Sequence, residues 1–212
     1  MPAAEREDPP CRRRPRSPML RCVDVHAEPS GPEGRRAVER DHGGRPRTVL
    51  VAYATKHGST AEVARFIADR LGERGPAVDT VPARDVRGAV DGYDLVVLGG
   101  ALYSGRWHRE AHRFLKRHRA DLDGLRIAVF GMGPRNPTPE AFAGSRAQLA
   151  RALARRDWLR PMATAVFGGV DPPSRRPEKH RDARDWAAIE AWIGSLLAGG
   201  AEDAPTAVPR SA

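Results

Sequence analysis

The stretch Thr55-Lys56-His57-Gly58-Ser59-Thr60 gathers three hydroxyl side chains, one glycine and one lysine immediately before an amphipathic pattern begins. Backbone N–H groups in such a turn point outward, a helix N-terminus adds partial positive charge, and hydroxyls add donors, a combination that suits a phosphate. It is not a P-loop, because the Gly-Lys-Ser/Thr ending is absent, and no Gly-x-Gly-x-x-Gly fingerprint replaces it. The plainer alternative is a capped helix turn with Lys56 facing solvent. A second loop, Gly99 to His108, joins glycines to two aromatics. Glycine lets a backbone approach a flat ligand closely, and an aromatic ring can stack on one. Gly100, Ala101, Leu102, Tyr103, Ser104 and Gly105 are therefore candidates for ring contact. Tyr103 is the better placed aromatic, since Trp107 falls on the apolar side of the following helix and reads as a packing residue. A third loop, Gly131-Met132-Gly133-Pro134-Arg135-Asn136-Pro137, either closes over a ligand, with Gly131, Met132 and Gly133 in contact, or merely turns the chain.

These loops need a frame that brings them together, and the apolar patterning supplies one. Val49 to Ala54 is a short continuous apolar run, as in a parallel strand covered on both faces. The helix after it opens on Ser59 with Glu62 three residues on, the spacing of a capping box, and repeats Val63, Ile67 and Leu71 on one face. Ala77 to Val81 reads as a weaker strand, Arg84 to Val90 as a short helix, and Asp94 to Gly100 as the strongest strand signal in the chain. Trp107 to Arg119 reads as helix and Leu125 to Phe130 as strand. Thr138 and Pro139 then open a helix whose buried face is Phe142, Leu149 and Leu153. Pro161 to Phe167 supplies a last strand. A final helix over Asp182 to Leu197 buries Trp186, Ile189, Ile193 and Leu196 or Leu197.

Alternation of this kind implies right-handed crossovers and a parallel sheet. The expected fold is α/β, an open five-stranded parallel sheet of order 2-1-3-4-5 with roughly five helices on its two faces. Ligands of such sheets bind beyond the carboxyl ends of the strands, where the strand order reverses. That point lies between the first and third strands, so the loops after Ala54 and Gly100 face one ligand.

The net charge of +9 raises nucleic acid as a partner, but only Lys56, Lys116 and Lys179 among 36 basic residues are lysines. So arginine-heavy a composition, with abundant Ala, Gly and Pro, reads as coding bias, and no nucleic acid is expected. Cys11 and Cys22 both precede the patterned region, which leaves it no disulfide framework and no four-ligand zinc site, and no metal is expected. A reducing cytoplasm fits this usage. No run of 18 apolar residues occurs, and no apolar stretch follows the arginines at 12 to 16. Residues 1–46, rich in Arg and Pro with ten arginines against eight acidic residues, are expected to be a disordered tail. Residues 47–198 form the domain, and 199–212 a second tail.

The run Val51 to Thr60, the loop ending Gly105-Arg106-Trp107-His108, and the closing Arg184 to Trp192 together resemble the flavodoxin-domain family, in the branch that contains menaquinone-dependent protoporphyrinogen dehydrogenase. The resemblance spans roughly residues 47 to 198. It implies FMN as cofactor, with its phosphate on Thr55, Lys56, His57, Gly58, Ser59 and Thr60 and its ring between the loops at 100–105 and 131–135. It also implies an oxidoreductase, with a porphyrinogen as electron donor and a quinone or another redox partner as acceptor, as in heme biosynthesis. Where such enzymes carry a longer, basic and aromatic segment before the last helix, this chain has only Asp171 to Pro177.

Flavin chemistry needs no protein nucleophile, since the cofactor takes the electrons and the protein sets its position and electrostatics. His108 is a candidate proton relay at the flavin edge or, more plainly, a capping residue. On the helix after it, Arg109, His112, Arg113, Lys116 and Arg117 gather on one side and Ala111, Phe114, Leu115 and His118 on the other. Arg109 and Arg113 are candidates to receive substrate carboxylates or anionic head groups at the inner membrane face; a merely solvated face is the alternative. Two other classes stand beside the enzyme. One is a flavodoxin-like electron carrier, which would normally present an acidic surface. The other is a non-catalytic α/β signalling module, which needs acidic residues at the end of the first strand, where Val49 to Ala54 has none.

Overall fold

The computed structural model describes residues 45–103, 105–171 and 180–198, all within the unit Glu39–Ala212. The expected tails, apart from Arg45 and Pro46, lie outside the described residues, as do Ser104 and residues 172–179. The apolar run at the start becomes β1, Thr48–Ala54. It pairs in parallel with β2, Ala77–Pro82, on one side and with β3, Leu95–Tyr103, on the other. The extra strand β4, Arg106–Trp107, turns back antiparallel on the end of β3, with Leu102 opposite Trp107 and Tyr103 opposite Arg106. Parallel strands β5, Arg126–Met132, and β6, Ala163–Phe167, complete the sheet. The order is β2-β1-β3-β5-β6. Counting parallel strands alone, this is the expected 2-1-3-4-5; the two-residue β4 was not foreseen.

Successive side chains on a strand point to opposite faces, so each central strand feeds two cores. Val49 and Val51 pack with α1, Ser59–Gly72, and α4, Trp186–Leu197, whereas Leu50, Ala52 and Ala54 pack with α2, Arg109–Arg117, and α3, Pro139–Leu153. Full burial of a side chain such as Ile67 or Phe114 stabilises the fold by roughly 1.5–3 kcal/mol. Asp94 ties the starts of β1 and β3 together: its carboxylate accepts the Arg47 and Thr48 N–H groups at 2.8 and 2.9 Å. No helix among the described residues is long and apolar enough to cross a membrane.

Several local expectations are corrected. Residues 84–90 form the end of a turn followed by irregular backbone rather than a helix, leaving four α-helices among the described residues. Gly88 weakens helix propensity there, and the backbone is engaged from outside. The Val86 carbonyl accepts from Arg117 and the Val90 N–H donates to Asp121. Helix α2 begins at Arg109, because Trp107 is taken into β4. The capping box at Ser59 does not form: the N-cap is Gly58, and Ser59 is the first helical residue. Thr138 does cap α3, accepting the Ala141 N–H at 3.2 Å, with Pro139 in the first turn. In α4, Asp185 is the cap. Trp186, expected to be buried, is 38% exposed and packs on Phe66 at 4.8 Å between ring centroids. Trp192 is the fully buried tryptophan of that helix, edge-on to Phe130 and Phe167.

Candidate functional site

The turn after β1 is built from its own backbone. Thr55 Oγ1 accepts the Gly58 N–H at 3.0 Å. Gly58 adopts φ 96°, a left-handed conformation that costs a residue with Cβ about 1–2 kcal/mol. Its carbonyl receives the N–H groups of Ala61 and Glu62. The chain thereby enters α1 with Ser59 and Thr60 as its first residues. No hydrogen bond among the described residues engages the N–H groups of these two, as expected for donors in a first helical turn. The Thr60 hydroxyl is fully buried and lacks a partner. An unmatched buried hydroxyl costs about 1–3 kcal/mol, so the turn holds unspent donors and fits a phosphate.

A cleft of about 540 Å³ opens beside this turn. His57 and Ser59 line it from the turn, Ala101, Leu102 and Tyr103 from the end of β3, Met132 from the end of β5 and Gly133 from the loop after it. The switch point thus brings all three sequence-predicted loops onto one cavity. The rings of His57 and Tyr103 meet edge to face, 6.2 Å apart at 82°. Tyr103 is 41% exposed, a surface on which a flat ring can stack. Burial pushes its hydroxyl above the ordinary tyrosine value, against the opposing pull of Arg135, so it stays protonated and can donate.

Other predicted residues support the cleft rather than line it. Lys56 is exposed, and Thr55, Gly58 and Thr60 shape the turn. Gly100 has a packing role that was not expected: a Cβ there would lie 2.3 Å from Trp107 Nε1, so it makes room for that buried indole. Gly131 likewise accommodates Leu102, at 2.9 Å from a Cβ. Gly105, at φ 78°, makes the turn from β3 to β4. Ser104 lies outside the described residues.

His108 caps α2, its Nδ1 accepting the Glu110 N–H at 3.2 Å. Burial lowers its pKa, more than Glu110 raises it, which keeps the ring neutral and able to accept. It is not among the residues lining the cleft, so the plainer capping reading describes it and the proton-relay role is not supported. Arg109 and Arg113 do not line the cleft either. Both pair with Glu110, at 3.2 and 2.7 Å.

The sequence reading offered the third loop as closing over a ligand but singled out only its first three residues, and it did not name the wall beyond that loop. Arg135 and Asn136 follow the three residues chosen from the third loop, Ser145 and Gln148 reach in from α3, and Gly169, Val170 and Arg181 come from beyond β6. The glycine pair after β6 lies at the carboxyl edge of the fifth parallel strand and was a readable signal; Arg181 had none. Gly168 is required by close packing, since a Cβ would sit 1.8 Å from the Ala183 carbonyl oxygen. The Gly169 N–H donates to Pro134 at 2.8 Å, the Ala183 N–H to Gly169 at 3.0 Å and the Asp171 N–H to Arg181 at 2.9 Å. The Asp171 carboxylate closes this patch. Its Oδ2 takes the Arg181 N–H and Nε at 3.0 and 3.2 Å, and its Oδ1 takes Arg135 Nη1 at 2.8 Å. The Arg181 N–H, then the two guanidinium groups, hold Asp171 below the usual carboxylate range.

The comparisons with known proteins agree with this architecture. The model of the flavodoxin domain matches residues 50–175. A curated relative, protoporphyrinogen IX dehydrogenase [quinone] of Escherichia coli strain K12, is 26% identical over 122 residues, covering 57% of this chain and 67% of the relative. Among solved structures, oxidised flavodoxin 1 of Bacillus cereus superposes with a TM-score of 0.50 at 17% identity, over 71% of this chain and 97% of that one. A short-chain flavodoxin associated with a PDU bacterial microcompartment gives 0.50 at 22% identity, over 71% of this chain and 95% of that one. The structural likenesses speak for the fold, and the family match extends over more than half of the sequence: the chain belongs to the flavodoxin-domain family.

Proposed function

We propose that the protein binds FMN and oxidises a porphyrinogen, passing the electrons to a quinone. Family membership implies a flavin, and the curated relative supports an oxidoreductase. The observation that carries the specific reading is the cleft lined by His57, Ser59 and Tyr103, beside a turn whose first helical N–H groups and buried Thr60 hydroxyl have no partner among the described residues. A bound flavin supplies the two-electron acceptor that no side chain here provides. The chain's own residues do the rest. Ser59 and Thr60 would hold its phosphate on their N–H and hydroxyl groups, and Tyr103 would offer the stacking face. Leu102 and Met132 keep part of the wall apolar and limit water.

Among the described residues, the charged ones lining the cleft, Arg135 and Arg181, are basic, and no Asp or Glu lines it. That balance favours an enzyme with an anionic substrate over a low-potential carrier. The proposed setting is the cytoplasm, with peripheral contact at the inner membrane face where a quinone is reached. The test is an absorption spectrum of the purified full chain after reconstitution with FMN, followed by anaerobic turnover of protoporphyrinogen with an added quinone. Flavin bands retained through gel filtration and quinone-dependent appearance of protoporphyrin are the expected results. No retained flavin sinks the reading at its base; retained flavin with no turnover leaves only the carrier.

A further inference from the structure

Arg135 and Arg181 both line the cleft, 46 residues apart in sequence, and both are pinned by one carboxylate. Two cations against one anion leave the patch with net positive charge. Each guanidinium has five N–H donors. Asp171 engages Arg135 through Nη1 and Arg181 through Nε, so the remaining donors of both have no partner among the described residues. The wall also holds Gln148, whose side-chain nitrogen is buried without a hydrogen-bond partner. Guanidinium groups held in place recognise carboxylates with two parallel donors, and oriented donors lose less rotamer freedom on binding.

We propose that Arg135 and Arg181, positioned by Asp171 and supplemented by the Gln148 amide, form a subsite of the cleft that recognises the carboxylates of the substrate. The proposal rests on the flavin-dependent reading above and names the residues that select the substrate class, an organic dicarboxylate. It also differs from the sequence reading, in which Arg109 and Arg113 were candidates for this recognition; their charges meet Glu110 outside the cleft.

The experiment uses the full chain loaded with FMN at low ionic strength, titrated with protoporphyrin IX and, separately, with its neutral dimethyl ester, with tryptophan fluorescence as readout. The wild type is expected to bind the diacid about tenfold or more tightly than the ester, the factor that one charge-assisted hydrogen bond supplies. In the double variant Arg135→Gln/Arg181→Gln the preference should shrink to within about twofold, with FMN affinity changed by less than about twofold. Should the double variant fail to fold by circular dichroism, Arg135→Gln alone should remove part of the preference. Arg109→Gln/Arg113→Gln should leave the preference intact. Equal binding of acid and ester, binding of neither, or full preference retained in the arginine variants overturns the proposal. So does a tenfold loss of FMN affinity in those variants, which would assign the arginines to the cofactor. Failure of the wild type to bind FMN is a separate result: it removes the flavin reading, and the acid-to-ester comparison on the unloaded chain still decides the arginine site.

Discussion

The two ends of the cleft are built on different plans. The turn at residues 55–60 is local: one threonine, one left-handed glycine and the first two residues of α1 create donors within six positions of sequence, and the critical hydroxyl of Thr60 is fully buried. The wall at Arg135, Asp171 and Arg181 is assembled from two loops and the approach to α4, and its cationic side chains are 51% and 62% exposed. A site made of backbone and short hydroxyls is rigid and little affected by salt. A site made of exposed guanidinium groups, even when held by a carboxylate, is screened by salt. The first suits an invariant group such as a cofactor phosphate, the second a substrate that must enter and leave.

Substitutions can break this contrast. The largest effect is expected from Gly168→Ala, because the added Cβ meets a backbone carbonyl that no rotamer change can move aside. Thermal unfolding should show a loss near the upper end of about 1–3 kcal/mol, and the acid-over-ester preference should fall while residues 55–60 keep their affinity for FMN in the folded fraction. If both ends fail together, the two do not work as separate units. Thr60→Val comes next and should act in opposite directions on two measurements. FMN affinity is expected to drop about tenfold or more, since a hydrogen bond to a charged group contributes about 1.5–3 kcal/mol. The flavin-free protein, relieved of an unpartnered hydroxyl, should melt no lower than wild type. A lower melting temperature would show that the hydroxyl already has a structural partner. The smallest effect is expected from Tyr103→Ala, which removes the exposed stacking face. Given roughly 0.5–1.5 kcal/mol for an aromatic pair, calorimetry should show FMN binding weakened by about two- to tenfold, and an unchanged affinity would place the ring elsewhere.

The same contrast explains what could be read from the residues beforehand. The continuous apolar run at Val49 to Ala54, the helical spacing of Val63, Ile67 and Leu71, and the Thr138-Pro139 start of α3 are local signals, and each marks the element it announced. Where a local signal failed, a distant partner had intervened. Residues 84–90 lose their helix to hydrogen bonds with Arg117 and Asp121. Trp107 leaves the predicted helix to fill the space beside Gly100. Trp186, expected to be buried, is displaced by Trp192, on which no expectation was placed and whose ring packs edge-on to Phe130 and Phe167. Gly100 shows the limit most directly, since a glycine that admits a ligand and a glycine that admits an indole look identical in a sequence.

By itself the sequence determined the alternating elements and the hydroxyl-rich turn, because apolar periodicity and glycine or hydroxyl turn chemistry are set by neighbours a few residues apart; the order in the sheet followed from that alternation only through the general rules for right-handed crossovers. Only the tertiary structure decided which residues complete the cleft. Arg135, Asp171 and Arg181 become one charged patch through the close approach permitted at Gly168 and the backbone hydrogen bonds from Gly169 to Pro134 and from Ala183 to Gly169. Contacts between residues tens of positions apart depend on how the loops pack, and no local pattern encodes that.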